Sequence, residues 1–225
     1  MDDFVTWARQ RPLFTVNEAA RATDITRPSL REKLSRLARR GDLIRVERGK
    51  YTAHEDPLIF ATYIETPSFI SLWSGLRYYD VTTQQPNTVQ VIVPDGRTDL
   101  ETVEFYSSSD MFGFGKRRYR DFDIFVADEE RLVLDCLARK AVPVSELSEL
   151  ITMIDIDTAT DYAERLGRNA VKKRLGYLLE EIRGTVVADL RPQDRNYPVL
   201  DLTGPRNGET DPRWRLTVNT DVIES

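Results

Sequence analysis

Apolar residues recur at helical spacing three times in the first fifty positions. Phe4, Trp7 and Ala8 predict a short helix that ends before Pro12. Thr15-Val16-Asn17-Glu18 has the form of a capping box, in which a Thr and a Glu three residues on satisfy each other's free backbone donors. It opens a second helix with Val16, Ala19 and Ala20 on the apolar face. Thr26 then caps a third helix, with Pro28 in the first turn and Ile25 and Leu30 as a hydrophobic staple. Leu30, Leu34 and Leu37 form the inward stripe of that helix, which runs to about Arg40 and stops at Gly41. Residues 43–51 read as two short strands with a turn around residues 47–49.

Beyond residue 53 the pattern changes. Residues 57–64 are predicted as a linking helix or strand, broken at Thr66-Pro67, and residues 68–79 as a helix. Strands are predicted over 88–93, 102–106 and 119–126, followed by helices from Asp128 and over 145–154, 158–166 and 169–182. Thr158 and Asp161 form a further capping box, and residues 185–190 and 214–218 are predicted as late strands. Strands followed by helices indicate an α+β class, here an N-terminal winged helix-turn-helix followed by a mixed α+β C-terminal domain. The expected domains are 1–53, a linker at 54–66, and 67–225.

Charge sharpens this division. The whole chain has 32 Lys/Arg, 37 Asp/Glu and a net charge of −5, which by itself argues against a nucleic-acid partner. Residues 1–53 hold 12 basic and 7 acidic residues, a net of +5, so the remainder carries −10. The third helix places Arg27, Ser29, Arg31, Glu32, Lys33, Arg36, Arg39 and Arg40 outside its apolar stripe, and Arg45, Arg48 and Lys50 follow on the hairpin. A helix fits the major groove and reaches base edges with its first turns. Arg27, Ser29, Arg31, Lys33 and Arg36 are therefore the candidate DNA-reading residues, and Arg45, Arg48 and Lys50 are the expected phosphate contacts. A solvated basic face that docks a protein is the competing reading, because fold does not fix function.

Other chemistry is thinly represented. One cysteine, Cys136, and one histidine, His54, exclude a disulfide framework and a Cys/His zinc site. Cys136 falls in an apolar helical stripe and His54 in the expected linker, with Trp7, Trp73 and Trp214 expected as core anchors. Asp121 and Asp123 stand two apart, as metal-binding carboxylates of nucleotidyltransferases do on a strand, although Gly115 is followed by Lys116 and not Ser. A metal-dependent nucleotidyltransferase thus stays as an alternative to the expectation of no enzymatic activity, no cofactor and no metal. The aromatic and basic residues at 111–120 suit either a hairpin tip or a base-stacking loop. Arg165, Arg168, Lys172, Lys173 and Arg174 are expected mostly to face water. The acidic start Met1-Asp2-Asp3-Phe4 lacks a signal peptide's basic region, and the most apolar uncharged stretch, 66–76, is about half the roughly 20 residues of a membrane helix. A reducing, cytoplasmic setting without membrane contact is expected.

A resemblance joins these pieces. Arg48-Gly49-Lys50-Tyr51 resembles the Arg-Gly-x-Tyr ending of the wing in the AbiEi antitoxin family of viral-defence regulators. Ser71-Leu72-Trp73-Ser74-Gly75-Leu76, followed by Thr82-Thr83-Gln84-Gln85-Pro86, is similar to the family's Ser-rich helix and the segment after it. Residues 124–137 resemble its strand and following helix, and 197–201 and 214–219 its closing segments. Arg131 and Val133 depart from the commoner pattern, so Arg131 is given no role. The resemblance implies a repressor that binds the operator of its own promoter in double-stranded DNA, with a C-terminal domain needed for antitoxin activity. It also implies a nucleotidyltransferase-like toxin, countered without a stable complex.

Overall fold

The computed structural model describes residues 3–222. Two compact units emerge, and they are not divided at residue 53. Of the described residues, the first comprises 3–70, Asn87–Met111 and Lys116–Phe125, and the second Ser71–Pro86, Phe112–Gly115 and 126–222.

The first unit begins with α1 (Asp3–Arg9), β1 (Phe14–Thr15), α2 (Val16–Arg21), α3 (Arg27–Arg39), β2 (Ile44–Glu47) and β3 (Lys50–Thr52). The capping box at α2 is present: Glu18 N–H donates to Thr15 Oγ1 at 3.1 Å, and Thr15 N–H donates to the Glu18 carboxylate at 2.6 Å. Thr26 occupies the N-cap of α3, but its hydroxyl donates to Ser29 Oγ at 3.0 Å instead of capping the backbone. At the other end Gly41 adopts φ +78, while Asp42 N–H reaches Leu37 O and Gly41 N–H reaches Ala38 O. That pairing satisfies the last carbonyls and needs a residue free to enter the left-handed region. Leu30, Leu34 and Leu37 are buried with Phe4, Ala8 and Phe14. The hairpin pairs β2 antiparallel with β3, and β1 covers the other side of β3, giving the order β1-β3-β2.

The segment expected as a linker is folded. Asp56 caps α4 (Pro57–Phe60) by accepting from Leu58 N–H at 3.1 Å, and a 3-10 turn over Ala61–Tyr63 follows. Leu58, Ile59, Phe60 and Ile64 are buried, which a solvated linker would not allow. His54 is half-buried: its Nε2 lies 3.0 Å from Arg11 O and its ring meets Phe122 edge-on at 4.7 Å.

Next come β4 (Phe69–Ile70), β5 (Val89–Val93), β6 (Val103–Ser107), β7 (Phe114–Tyr119) and β8 (Phe122–Ala127), in a sheet of order β6-β5-β4-β8-β7. The helix predicted from residue 68 is a strand at its start, because a short apolar run does not by itself distinguish the two. Phe69 and Ile70 are wholly buried at the centre of the sheet, and Leu72, at φ 55, turns the chain away. The strand expected over 119–126 is instead a pair, β7 and β8, joined at Arg120-Asp121.

The second unit is mainly helical: α5 (Leu72–Tyr78), α6 (Glu129–Ala138), α7 (Ser148–Met153), α8 (Ile156–Leu166) and α9 (Asn169–Arg183), then β9 (Glu209–Asp211) paired with β10 (Leu216–Val218). Asp155, not Thr158, caps α8, accepting from Thr158 N–H at 2.9 Å. Residues 185–190 end in a 3-10 turn instead of a strand. Arg131 is wholly buried in α6: its guanidinium meets Asp135 at 3.2 Å, donates to Phe112 O at 3.2 Å and lies over the Phe112 ring. Asp135 also accepts from Arg139 at 2.9 Å and Ser71 Oγ at 2.9 Å. The expectation that Lys172, Lys173 and Arg174 face water is corrected, since all three are buried. Long aliphatic stems cover apolar surface while the cationic heads find Glu164, Asp194 and the carbonyls of Val199 and Leu137. Cys136 is buried, and burial pushes its thiol well above the ordinary value. Trp214 is buried as an anchor, its indole N–H on Glu180.

Candidate nucleic-acid interface

The leucine stripe sets the rotation of α3. At about 100° per residue, Arg27 and Arg31 fall on one flank, Glu32 opposite the core, and Arg36, Ser29 and Lys33 successively toward the other flank. Contacts agree with this. Lys33 Nζ lies 5.1 Å from the ring of Phe4 on α1, whereas Arg27 and Arg31 line a cleft shared with the hairpin.

That cleft is open and about 630 Å³ in volume; Arg45 enters it from β2 and Arg48 from the turn, beside Asn17 and Gly49. Arg27, Arg31, Arg45 and Arg48 have no side-chain hydrogen bond or ion pair among the described residues. Four guanidiniums converge there without a carboxylate, an arrangement suited to a bound polyanion. Arg36 and Ser29 are exposed on α3 outside this cleft.

A β-bulge explains why an acidic residue between these cations does not spoil the cleft. Arg45 pairs with Tyr51 and Glu47 with Lys50, so Val46 is the extra residue of β2. A bulge breaks strict alternation and re-aims the side chains that follow. Arg45 lines the cleft, while Glu47 takes Lys50 Nζ at 2.8 Å and Arg97 at 2.5 Å. Burial pushes the Glu47 carboxyl up, but hydrogen bonds and charge from Lys50 and Arg97 outweigh it and hold the group below its ordinary value.

Lys50 also lines the cleft, but unlike the four arginines it has partners within the protein. Its ammonium is bound by Glu47 and donates to Ile64 O at 2.5 Å, leaving the side chain only 27% exposed. Glu47 and Arg97 are the participants that sequence reasoning missed. Glu47 reads only as a turn residue, and Arg97 follows a Pro-Asp-Gly turn remote in sequence.

The carboxylate pair is separated. Asp121 sits in the turn, whereas Asp123 on β8 takes Lys116 at 2.6 Å and Arg118 at 3.6 Å. The Lys116 hydrogen bond, opposed by slight burial, holds Asp123 below the ordinary carboxylate value. Among the described residues, no group of three or more His, Cys, Asp or Glu is placed to hold a metal ion. No described helix is long and apolar enough to cross a membrane.

The chain resembles known proteins at two levels. The RV2827C protein from Mycobacterium tuberculosis, known from its crystal structure, superposes with a TM-score of 0.68 at 13% identity over 94% of this chain and 88% of that one. This likeness is one of fold. Among curated proteins, none matches the sequence. The stretch 5–54, spanning α1 through β3, matches the family model described as "Transcriptional regulator, AbiEi antitoxin". The likeness to the AbiEi antitoxin transcriptional regulators is carried by these N-terminal residues.

Proposed function

We propose that the chain is a sequence-specific repressor of its own promoter whose residues 1–53 form a winged helix-turn-helix, and that it serves as the antitoxin of a toxin–antitoxin, viral-defence system. The observation carrying this reading is the cleft of four unpaired arginines between α3 and the hairpin. With α3 in the major groove and the hairpin over the neighbouring minor groove, the backbone separating the two grooves passes between them. Its phosphates then meet Arg27, Arg31, Arg45 and Arg48. The exposed face bearing Arg36 is turned to base edges, with Ser29 and Lys33 at its margin. The family match at 5–54 supports a regulatory role over an enzymatic one.

In this reading the partner is double-stranded operator DNA, without a cofactor, in the cytoplasm. The toxin is a nucleotidyltransferase-like protein opposed without a lasting complex. Titration of the full chain against its own promoter duplex and a shuffled duplex, by fluorescence anisotropy, tests the DNA half. Tighter, strongly salt-dependent binding of the promoter is expected; no binding of either duplex at low salt overturns it and favours a protein-docking role. Growth rescue on co-expression with the neighbouring toxin gene tests the other half.

A further inference from the structure

The hairpin that carries Arg45 and Arg48 is fastened through Glu47, which does not line the cleft, and through Lys50, which does. Glu47, the last residue of β2, binds Lys50 beside it in the hairpin and Arg97 between β5 and β6. Arg97 in turn holds Glu65 at 3.1 Å and stacks over the Phe105 ring at 4.5 Å. Lys50 adds a second tie, to the carbonyl of Ile64. Two consecutive cross-strand partners, Glu47 and Lys50, are thus anchored to the segment after α4 and to the sheet.

These contacts are sheltered: the side chains of Arg97 and Glu47 are 20% and 23% exposed. A partly shielded, multiply bonded cluster orders its members better than an exposed pair. A two-stranded hairpin alone is marginal in water and would sample many angles. Ordering it beforehand removes a cost otherwise met on binding.

We propose that Glu47 and Arg97, with Glu65, form a positioning lock that sets the hairpin's angle, so that Arg45 and Arg48 face Arg27 and Arg31 before DNA arrives. Neither residue touches DNA. The proposal rests on the DNA-binding reading above, and it assigns roles to an acid and to a base outside the helical module. It also runs opposite to simple electrostatics. Deleting an acid near a polyanion strengthens attraction, whereas deleting Glu47 from a lock weakens binding.

The test uses the full chain and its promoter duplex, comparing Glu47→Ala, the milder Glu47→Gln, Arg97→Ala and the Glu47→Ala/Arg97→Ala double variant. Each alanine variant is expected to lose roughly tenfold in affinity, about 1.4 kcal/mol. The double variant should be hardly weaker than either single one, since both break the same contact. The log–log salt slope should stay unchanged, because a direct phosphate contact accounts for about 0.9 of slope and the lock residues make none. In the free protein, amide exchange should quicken at Tyr51 but not at Leu34, a readout independent of DNA. Equal or tighter binding by Glu47→Ala, a slope lowered by about 0.9 in Arg97→Ala, or unchanged exchange at Tyr51 overturns the lock. Should Glu47→Ala fail to fold, Glu47→Gln carries the same expectations with a smaller loss. A wild-type chain that binds no duplex overturns the DNA-binding reading, and the lock with it; wild-type binding with indifferent variants overturns the lock alone.

Discussion

Glu47 and Lys50 face one another at 2.8 Å across the turn of the hairpin, so the hairpin neutralises one of its own cations. Arg48, between them in sequence, has no such partner among the described residues and lines the cleft. The two cations therefore separate experimentally. Arg48→Ala is expected to weaken every duplex alike and lower the salt slope by about 0.9. Lys50→Ala should leave that slope where it was. Anisotropy titrations at several salt concentrations measure both, and a matching fall for Lys50→Ala contradicts the assignment.

On α3 the division runs by flank. Arg27 and Arg31 lie in the cleft, and Arg36 lies outside it on the exposed face. Arg27→Ala with Arg31→Ala should lower the slope by roughly 2 while preserving the ratio of promoter to shuffled affinity. Arg36→Ala should shrink that ratio, by about 1–3 kcal/mol if it reaches a guanine edge. Competition binding with both duplexes decides; loss of preference in the double variant instead would exchange the two roles.

Within the second unit, Asp135 accepts from Arg131, Arg139 and Ser71, and its side chain is 2% exposed. Asp135→Ala leaves the fully buried Arg131 guanidinium without its carboxylate, a loss of about 3–5 kcal/mol in unfolding free energy. Arg131→Met should cost less, because Asp135 keeps Arg139 and Ser71 and the methionine fills the space. Denaturant unfolding supplies the order of the two. A milder Asp135→Ala than Arg131→Met would show that packing around the stem of Arg131 outweighs its charge.

His54 gives a pH signature. Burial holds its imidazole below the ordinary 6.5, against the opposing hydrogen bonds to the Arg11 and Arg9 carbonyls. A folded value depressed in this way means that the unfolded chain binds the proton more readily. The stability contributed by neutral His54 is complete above 6.5 and drains away as pH falls through that value toward the lower folded one. Between about pH 7.5 and about pH 5.5, the wild type should lose more unfolding free energy than His54→Gln. Equal losses in the two chains would remove His54 from the account.

Local chemistry carried the first fifty residues. The Thr15–Glu18 box, the Leu30–Leu34–Leu37 stripe and the Gly41 stop are each decided within one turn of helix, so spacing reveals them. What spacing does not reveal is partnership across long stretches of chain. Lys173 and Arg174 read as solvated cations because Asp194 and Val199 lie far along the sequence. The ties of Lys50 to Ile64 and of Glu47 to Arg97 are hidden in the same way, because neither Ile64 nor Arg97 can be placed beside the hairpin from its own pattern. Phe69 and Ile70 failed for another reason: in a run so short, a buried strand and a buried helical face look alike.

The four arginines of the cleft also bear on the protein when it is alone. Like charges held together without counter-charges repel, and the folded form bears that strain only while nothing negative fills the gap. On the DNA-binding reading, occupancy then acts on the chain as well as on the promoter: a molecule seated on its operator unfolds less readily than one adrift, by mass action. Proteases, which sample opened chains, would thin the unbound molecules first. The pool of free regulator would shrink once its sites are filled, through the same guanidiniums that find them.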